Sequence, residues 1–156
     1  MRVNKCVGCT KFPCADVKHE CHIIPNLEVK PEEVSIVMIS EAAPENSKDY
    51  YYAKGNSLFQ KTTVQAFNDA GAEVESIKDI LDLGVYLTTA VKCGKTGYGI
   101  KAGTIEECSR LLEKELALFP NVEVFMLMGE VAIKAINFIG NCSAIVSLRC
   151  ENYKKA

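Results

Sequence analysis

Four of the eight cysteines are divided between two segments that lie far apart in the 156-residue chain. Cys6 and Cys9 form a Cys-x2-Cys pair, whereas Cys93 ends a strand-like run and Cys108 follows 15 residues later. A Cys-x2-Cys pair can put two thiolates on one metal ion or cluster, which then needs two more soft ligands. Cys93 and Cys108 are well placed to supply them, so the fold must bring the two segments together.

A purely local ligand set is the alternative. Its cysteines all lie in the first 21 residues with the spacing C-x2-C-x4-C-x6-C, and two histidines are close in sequence (Cys6, Cys9, Cys14 and Cys21, with His19 or His22). Such a set could bind zinc or iron. The remaining pair, Cys142 and Cys150, is interpreted as small core residues or free thiols.

Length and composition favour one domain with an apolar core. We divide it into a loop-rich cysteine lobe (1–30), an α/β core (31–140) and a tail without a recognisable pattern (141–156). The longest apolar runs, such as 122–128, are too short to span a membrane, and the N-terminus does not resemble a signal peptide. We therefore expect a cytoplasmic protein, in which cysteines more often bind metals than form disulfides.

The charge of the chain gives mild evidence against a large DNA footprint. Its formal net charge is −2, whereas non-specific nucleic-acid binders usually carry a basic excess. Lysines do gather locally, at Lys92, Lys95 and Lys101, and could form a small basic patch. Lys92 is interpreted either as a phosphate contact or as a solvated side chain.

Apolar strand-like runs alternate with helical patterns along the core. The predicted strands and helices are, in chain order, 35–40, 62–70, 85–91, a helix from Thr104, 122–128, and a helix through Ile139. Thr104-Ile-Glu-Glu107 is predicted as a capping box with Thr104 as the N-cap. The alternation predicts an α/β layered fold with a mainly parallel sheet. Ligands bind such sheets at the carboxyl ends of the strands, here 40–46, 89–98 and 128–130.

Further motifs lie at and around these strand ends. They are V-M-I-S-E-A-A-P at 37–44, Y-A-K-G-N-S-L-F at 52–59, V-Y-L-T-T-A-V-K-C at 85–93, I-E-E-C-S-R-L-L-E-K-E-L at 105–116 and V-E-V-F-M-L-M-G-E-V-A-I-K-A at 122–135. In order and spacing, these segments resemble the uracil-DNA glycosylase superfamily, above all its iron–sulfur (type 4 and 5) branch. The similarity spans roughly residues 5–140.

The resemblance implies a three-layer uracil-DNA glycosylase-like fold and a [4Fe–4S] cluster. Its ligands would be Cys6, Cys9, Cys93 and Cys108, and the cluster would join the N-terminal lobe to the core. Zinc on the local set is the alternative cofactor.

The resemblance also implies a reaction. Family enzymes flip a nucleotide out of duplex DNA and hydrolyse the N-glycosidic bond of uracil. Glu41 would be the carboxylate that activates or orients water, and Phe59 would stack on the base. The alternatives are that Glu41 caps the following segment and that Phe59 is an ordinary core residue.

Further substrate contacts follow from the same comparison. Backbone amides near Ser40 and Ala42 would hold the uracil carbonyl, and Asn56 lies within the G-N motif. Thr89 stands where the family usually has asparagine. Because threonine has a single hydroxyl, it cannot read an amide edge with both a donor and an acceptor.

Two other departures concern loops. The first loop reads S-E-A-A-P and lacks the family's glycines, which changes its available backbone angles. The family's C-terminal H-P-S/A loop is expected to be missing, and both histidines lie in the cysteine lobe. A partner protein could complete the site.

The preferred hypothesis is a DNA-repair glycosylase that acts as a monomer on uracil or a related damaged base in DNA. One alternative is a non-catalytic nucleic-acid-binding iron–sulfur protein on the same fold. Another is a structural or redox cluster protein.

Overall fold

Three parallel strands form the centre of the sheet in the computed structural model, which describes residues 1–142. The strands are β1 (Val17–Lys18), β2 (Ile36–Ala43), β3 (Val85–Lys95) and β4 (Val124–Leu127). Their spatial order is β1-β3-β2-β4, with β2 parallel to both β3 and β4. The short β1 runs antiparallel to β3. The predicted mainly parallel sheet is therefore confirmed.

Four α-helices within residues 1–142 cover the two faces of this sheet. They are α1 (Leu58–Asp69), α2 (Ile77–Asp82), α3 (Ala102–Leu116) and α4 (Glu130–Cys142). α2 packs on β3 and against α1, whereas α3 and α4 pack against each other and the sheet. No helix within residues 1–142 is long and apolar enough to cross a membrane.

Alternating side chains of β2 separate two hydrophobic clusters. Val37 and Ile39 belong to a cluster that contains residues of α3 and α4. Ile36 and Met38 pack against a second cluster that includes Ile80 of α2. Successive strand residues point to opposite faces, so a strand covered on both sides has apolar residues in consecutive positions. The predicted three-layer α/β fold is confirmed.

α1 begins four residues earlier than predicted because Ser57 caps it. The Ser57 hydroxyl accepts a hydrogen bond from the Gln60 N–H at 3.2 Å, and the Gln60 side chain accepts one from the Ser57 N–H at 3.4 Å. This reciprocal pair is a capping box. As a result, Phe59 lies in the first turn of a helix.

The predicted capping box at Thr104 is wrong. α3 begins at Ala102, and Thr104 lies inside its first turn. Its hydroxyl donates to the Asp16 carboxylate, which also accepts from the Lys101 N–H at 2.7 Å. Partial burial raises the pKa of Asp16, but hydrogen bonds from Thr104 and Lys101 outweigh this and hold it below its ordinary value. A carboxylate from the N-terminal lobe thus caps α3.

A bulge in β3 turns two residues away from the regular ladder. Ala42 of β2 pairs with Val91, but the next residue, Ala43, pairs with Gly94. Lys92 and Cys93 are the extra residues on β3. Bulges bend a strand and re-aim its side chains. The lobe attaches at this bulge, where the Ile23 N–H donates to the Lys92 carbonyl at 2.7 Å. The predictions for Cys142, Cys150 and the tail concern side chains or residues outside the described part.

Candidate active site and cysteine group

A pocket of about 390 Å³ lies at the carboxyl end of β2. It is lined by residues from the ends of β2 and β3, from α1 and from the position after β4, namely Ser40, Glu41, Ala42, Tyr51, Phe59, Thr62, Thr63, Lys95 and Met128. Each of the three predicted strand ends contributes to it. Four of the predicted site residues (Ser40, Glu41, Ala42 and Phe59) meet here.

Glu41 and Lys95 form an ion pair in this pocket. The Lys95 Nζ lies 3.6 Å from Glu41 Oε2, and the side chains are 33% and 35% exposed. Solvent screens a pair of this exposure, so its contribution to stability is small. Its chemical consequence is larger, because one wall of the pocket presents a carboxylate and an ammonium side by side.

Gly129 allows the Glu41 carboxylate to approach the turn between β4 and α4. Its φ is +113°, and a Cβ there would lie 2.7 Å from Glu41 Oε1. Any other residue would therefore collide with the carboxylate as well as strain the backbone. The carboxylate consequently lies beside the N-terminus of α4, which favours its negative charge.

Phe59 and Tyr51 form an aromatic part of the pocket wall. Their ring centroids are 5.1 Å apart. Burial raises the pKa of Tyr51, and a hydrogen bond with the Ser40 side chain opposes the shift. Phe59 is half-buried and lines the pocket, whereas Tyr51 is almost fully enclosed.

Thr89 and Asn56 lie away from this pocket. The Thr89 side chain is fully buried, and its hydroxyl donates to the Val91 carbonyl at 2.9 Å. Asn56 is exposed and lines a larger groove of about 860 Å³ beside α1 and α2. That groove shares Tyr51 with the smaller pocket but not Glu41. The structure therefore does not bring either residue to the carboxylate.

Lys95 is the pocket residue whose role sequence reasoning missed. The sequence places it only in a basic patch with Lys92 and Lys101. The available signal was its position near the carboxyl end of a predicted parallel strand.

The basic-patch hypothesis is wrong for Lys92, because this side chain is fully buried. Its ammonium donates to the Glu115 carboxylate, to Thr88 Oγ1 at 2.8 Å and to the Thr89 carbonyl at 2.6 Å. The Tyr86 hydroxyl donates to Glu115 Oε1 at 2.7 Å. Lys92 is therefore neither a phosphate contact nor a solvated side chain.

The described cysteines differ strongly in exposure. Cys93 and Cys108 are buried, Cys9 and Cys14 are partly buried, and Cys6 is exposed. Burial raises the pKa of the Cys93 thiol to about 12, and the thiols of Cys108 and Cys9 add to the shift. All of these side chains are free thiols.

Two histidines also contact the Cys93 thiol. The Nδ1 atoms of His19 and His22 lie 3.8 Å and 3.5 Å from Cys93 Sγ. Cys21 is directed elsewhere, because its thiol donates to the Glu45 carbonyl at 3.0 Å. Within residues 1–142, no three cysteine, histidine or carboxylate side chains stand at the spacing of ligands to a single metal ion. The donors around Cys93 include imidazole nitrogens as well as thiols, and thiols are the usual ligands of iron–sulfur clusters.

Comparison with known proteins assigns the chain to a family. The family model for the uracil DNA glycosylase superfamily matches residues 28–153. A type-5 uracil-DNA glycosylase from Thermus thermophilus is 36% identical over 58 residues. That alignment covers 37% of this chain and 26% of the Thermus protein.

Proposed function

The chain belongs to the uracil-DNA glycosylase superfamily, and from this premise we propose that it hydrolyses the N-glycosidic bond of uracil or a related damaged base in DNA. The observation that carries the proposal is the strand-end pocket in which Glu41 faces Lys95 beside Phe59. The Thermus relative, named as a type-5 uracil-DNA glycosylase, supports the same reaction class.

The two charges of the pocket match the charges that develop in this reaction. When the bond between the sugar C1′ and the base nitrogen breaks, its electron pair leaves with the base. The sugar becomes positively charged, and the base becomes an anion. A carboxylate stabilises the first and an ammonium stabilises the second, and such preorganised groups supply much of the catalysis in enzymes.

Glu41 has a second role in the proposal. Water must add to C1′ and lose a proton, and a carboxylate at a pocket wall can orient that water and accept the proton. The oxygen then bonds to C1′, which leaves an abasic site and the free base. Glu41 suits this role because Lys95 pairs with it and Gly129 leaves room for its carboxylate.

Base recognition is assigned to the other side of the pocket. A flipped nucleotide would enter the concave site of about 390 Å³, and Phe59, which lines it, would stack on the base. Backbone amides near Ser40 and Ala42 would hold a base carbonyl. Thr89 and Asn56 are left out of this machinery because they lie elsewhere.

We further propose that the cysteine group holds a [4Fe–4S] cluster. The thiols of Cys9, Cys93 and Cys108 would contribute ligands, and sequence resemblance names Cys6 as the fourth. When bound, the cluster would cross-link the lobe to β3 and α3. Free thiols on the described cysteines fit the reducing cytoplasm, where we place the protein.

A duplex oligonucleotide with a single uracil tests the proposal through abasic-site formation. We expect cleavage by the wild-type protein and a rate at least about 100-fold lower for Glu41→Gln, as for loss of a positioned acid–base group. Glu45→Gln is the matched control, since Glu45 lies just beyond the same strand, pairs with Lys18 and is 69% exposed. Wild-type protein that cleaves no uracil, hypoxanthine or mismatch substrate would rule the reaction out.

A non-catalytic DNA-binding protein is the second candidate. The observation that favours it is the buried Thr89 hydroxyl, which bonds its own strand and is not offered to a base. Binding to the oligonucleotide without abasic-site formation would identify this function.

A further inference from the structure

We infer that Cys14 is the fourth thiolate ligand beside Cys9, Cys93 and Cys108, and that Cys6 lies outside the ligand set. The inference rests on the proposed cluster and is independent of the proposed reaction on DNA. It departs from the ligand set that sequence resemblance implies. The observations that support it are the contacts by which the N-terminal lobe attaches to α3 and β3.

The first contact joins the segment that contains Cys14 to α3, the helix that contains Cys108. Asp16, two residues beyond Cys14, accepts hydrogen bonds from Thr104 and from the Lys101 N–H. Thr104 and Cys108 are four residues apart on α3, so their side chains lie on the same helix face. Both are buried. The contact at Thr104 therefore holds Cys14 beside the face that presents Cys108.

Cys14 itself contacts this region. It packs against the hydrophobic cluster that contains Cys93 and Cys108.

The second contact is a turn at Phe12 that touches Cys9 and the two histidines beside Cys93. Phe12 has a φ of +45°, a left-handed conformation that is uncommon for a residue other than glycine. Its N–H donates to Cys9 Sγ at 3.4 Å. Its ring packs edge-on against His19 and His22, with centroids 5.3 Å and 5.0 Å away. Since both imidazoles contact Cys93, the turn is tied to that thiol.

Cys6 points away from this assembly. It is exposed, and its thiol donates to the Arg2 carbonyl at 3.7 Å. It directly follows a short helical turn, Val3–Lys5, whose Val3 side chain is fully buried. Moving the Cys6 thiol to the buried pair would require this anchored turn to rearrange. Cys14 already packs against the hydrophobic cluster that contains that pair.

Single cysteine-to-serine variants of the full chain, purified anaerobically, test the inference through bound iron. Wild-type protein should contain about four irons per chain with a broad absorbance near ~400 nm. We expect Cys14→Ser to fall below about one iron per chain and Cys6→Ser to keep the wild-type iron content and spectrum. The reverse pattern would overturn the inference. Neither readout uses DNA, so an inactive glycosylase would leave this result intact.

Thiol labelling of the wild-type protein provides a test that does not depend on how a variant folds. In the iron-loaded protein, iodoacetamide should modify Cys6 quickly, while Cys14 should react only after the cluster is removed with acid or chelator. Protection of Cys6 together with rapid labelling of Cys14 would contradict the inference. Iron-free protein with one zinc and protection of Cys6, Cys9, Cys14 and Cys21 would also overturn it.

Discussion

Lys92 and Glu115 form an ion pair in which neither side chain is exposed to solvent. Lys92 leaves the ladder at the bulge in β3, and Glu115 comes from the last turn of α3. Thr88 donates to the same carboxylate at 2.8 Å, as does Tyr86 at 2.7 Å. The pair thus ties the helix that carries Cys108 to the strand that carries Cys93.

Removal of one charge of this pair should strongly destabilise the protein. Glu115→Gln leaves the Lys92 ammonium buried without its counter-charge, so we expect a loss of about 3–5 kcal/mol in the free energy of unfolding. Urea denaturation measures it. The control is Lys78→Met, which breaks the exposed Lys78–Asp82 pair and should change stability little. A loss below about 1 kcal/mol for Glu115→Gln would contradict the structural role given to the pair.

Lys95→Met should slow the proposed reaction without unfolding the protein. The variant removes the cation beside Glu41, and loss of one preorganised group facing a departing anion costs about 10²–10³ in rate. We expect the loss mainly in kcat, with partial rescue by Lys95→Arg. Lys54→Met is the control because Lys54 is exposed and does not line the pocket. An unchanged kcat for Lys95→Met would remove Lys95 from the mechanism.

Gly129→Ala should impair the reaction more than an equally strained glycine substitution elsewhere. A methyl group at Gly129 would collide with the Glu41 carboxylate and displace it. Gly71→Ala is the matched control: its φ is +93°, but nothing lies within 4 Å of the added methyl group. Both variants should lose stability because alanine disfavours positive φ. Comparable abasic-site formation by the two variants would show that the reaction does not depend on the close approach of Gly129 to the Glu41 carboxylate.

Asp79 should make part of the stability dependent on pH in the acid range. Its carboxylate accepts hydrogen bonds from the N–H groups of Glu75 and Ser76, both at 2.9 Å, and these hold its pKa below 3.8. The pKa of Asp79 is lower in the folded state than in the unfolded state. The stability that Asp79 contributes is therefore present above pH 3.8 and is lost as the pH falls through the folded-state pKa.

Asp79→Asn should therefore be less stable than wild type at neutral pH, and the difference should shrink in acid. Urea denaturation at several pH values measures this. Asp82→Asn on the same helix is the control, since its carboxylate pairs with Lys78. A difference that grows with acidification would have the wrong sign.

Local sequence patterns predicted the strands well and the helix starts less well. The apolar runs at β2, β3 and β4 are nearly continuous, which is what a sheet covered on both faces requires. The start of α3 could not be found from Thr104 and its neighbours, because its capping carboxylate, Asp16, lies 88 residues away from Thr104. A cap supplied across the fold leaves no local spacing to detect.

The candidate site also contains some residues that the sequence predicted and others that it did not. Glu41 could be predicted because parallel strands place their carboxyl ends at one edge of the sheet. Lys95 was missed although it lies near the same edge, since β3 continues past Val91 through a bulge before it reaches the pocket. Sequence reasoning places Lys92 at the surface because lysine is rarely buried, and only the partner carboxylate of Glu115 explains its position.

The split cysteine set predicted, from the linear sequence, that the N-terminal lobe meets the end of β3 and the helix after it, and the structure brings the lobe there. The alternation of apolar strand-like runs with helical patterns predicted the layered fold. The strand-end motifs placed Glu41 at the crevice of that fold. Only the tertiary structure decided which side chains meet: Glu41 with Lys95, Lys92 with Glu115, and Asp16 with Thr104. The physical reason is that periodicity reports burial along one element, whereas such pairs depend on register, bulges and the packing of segments distant in the chain.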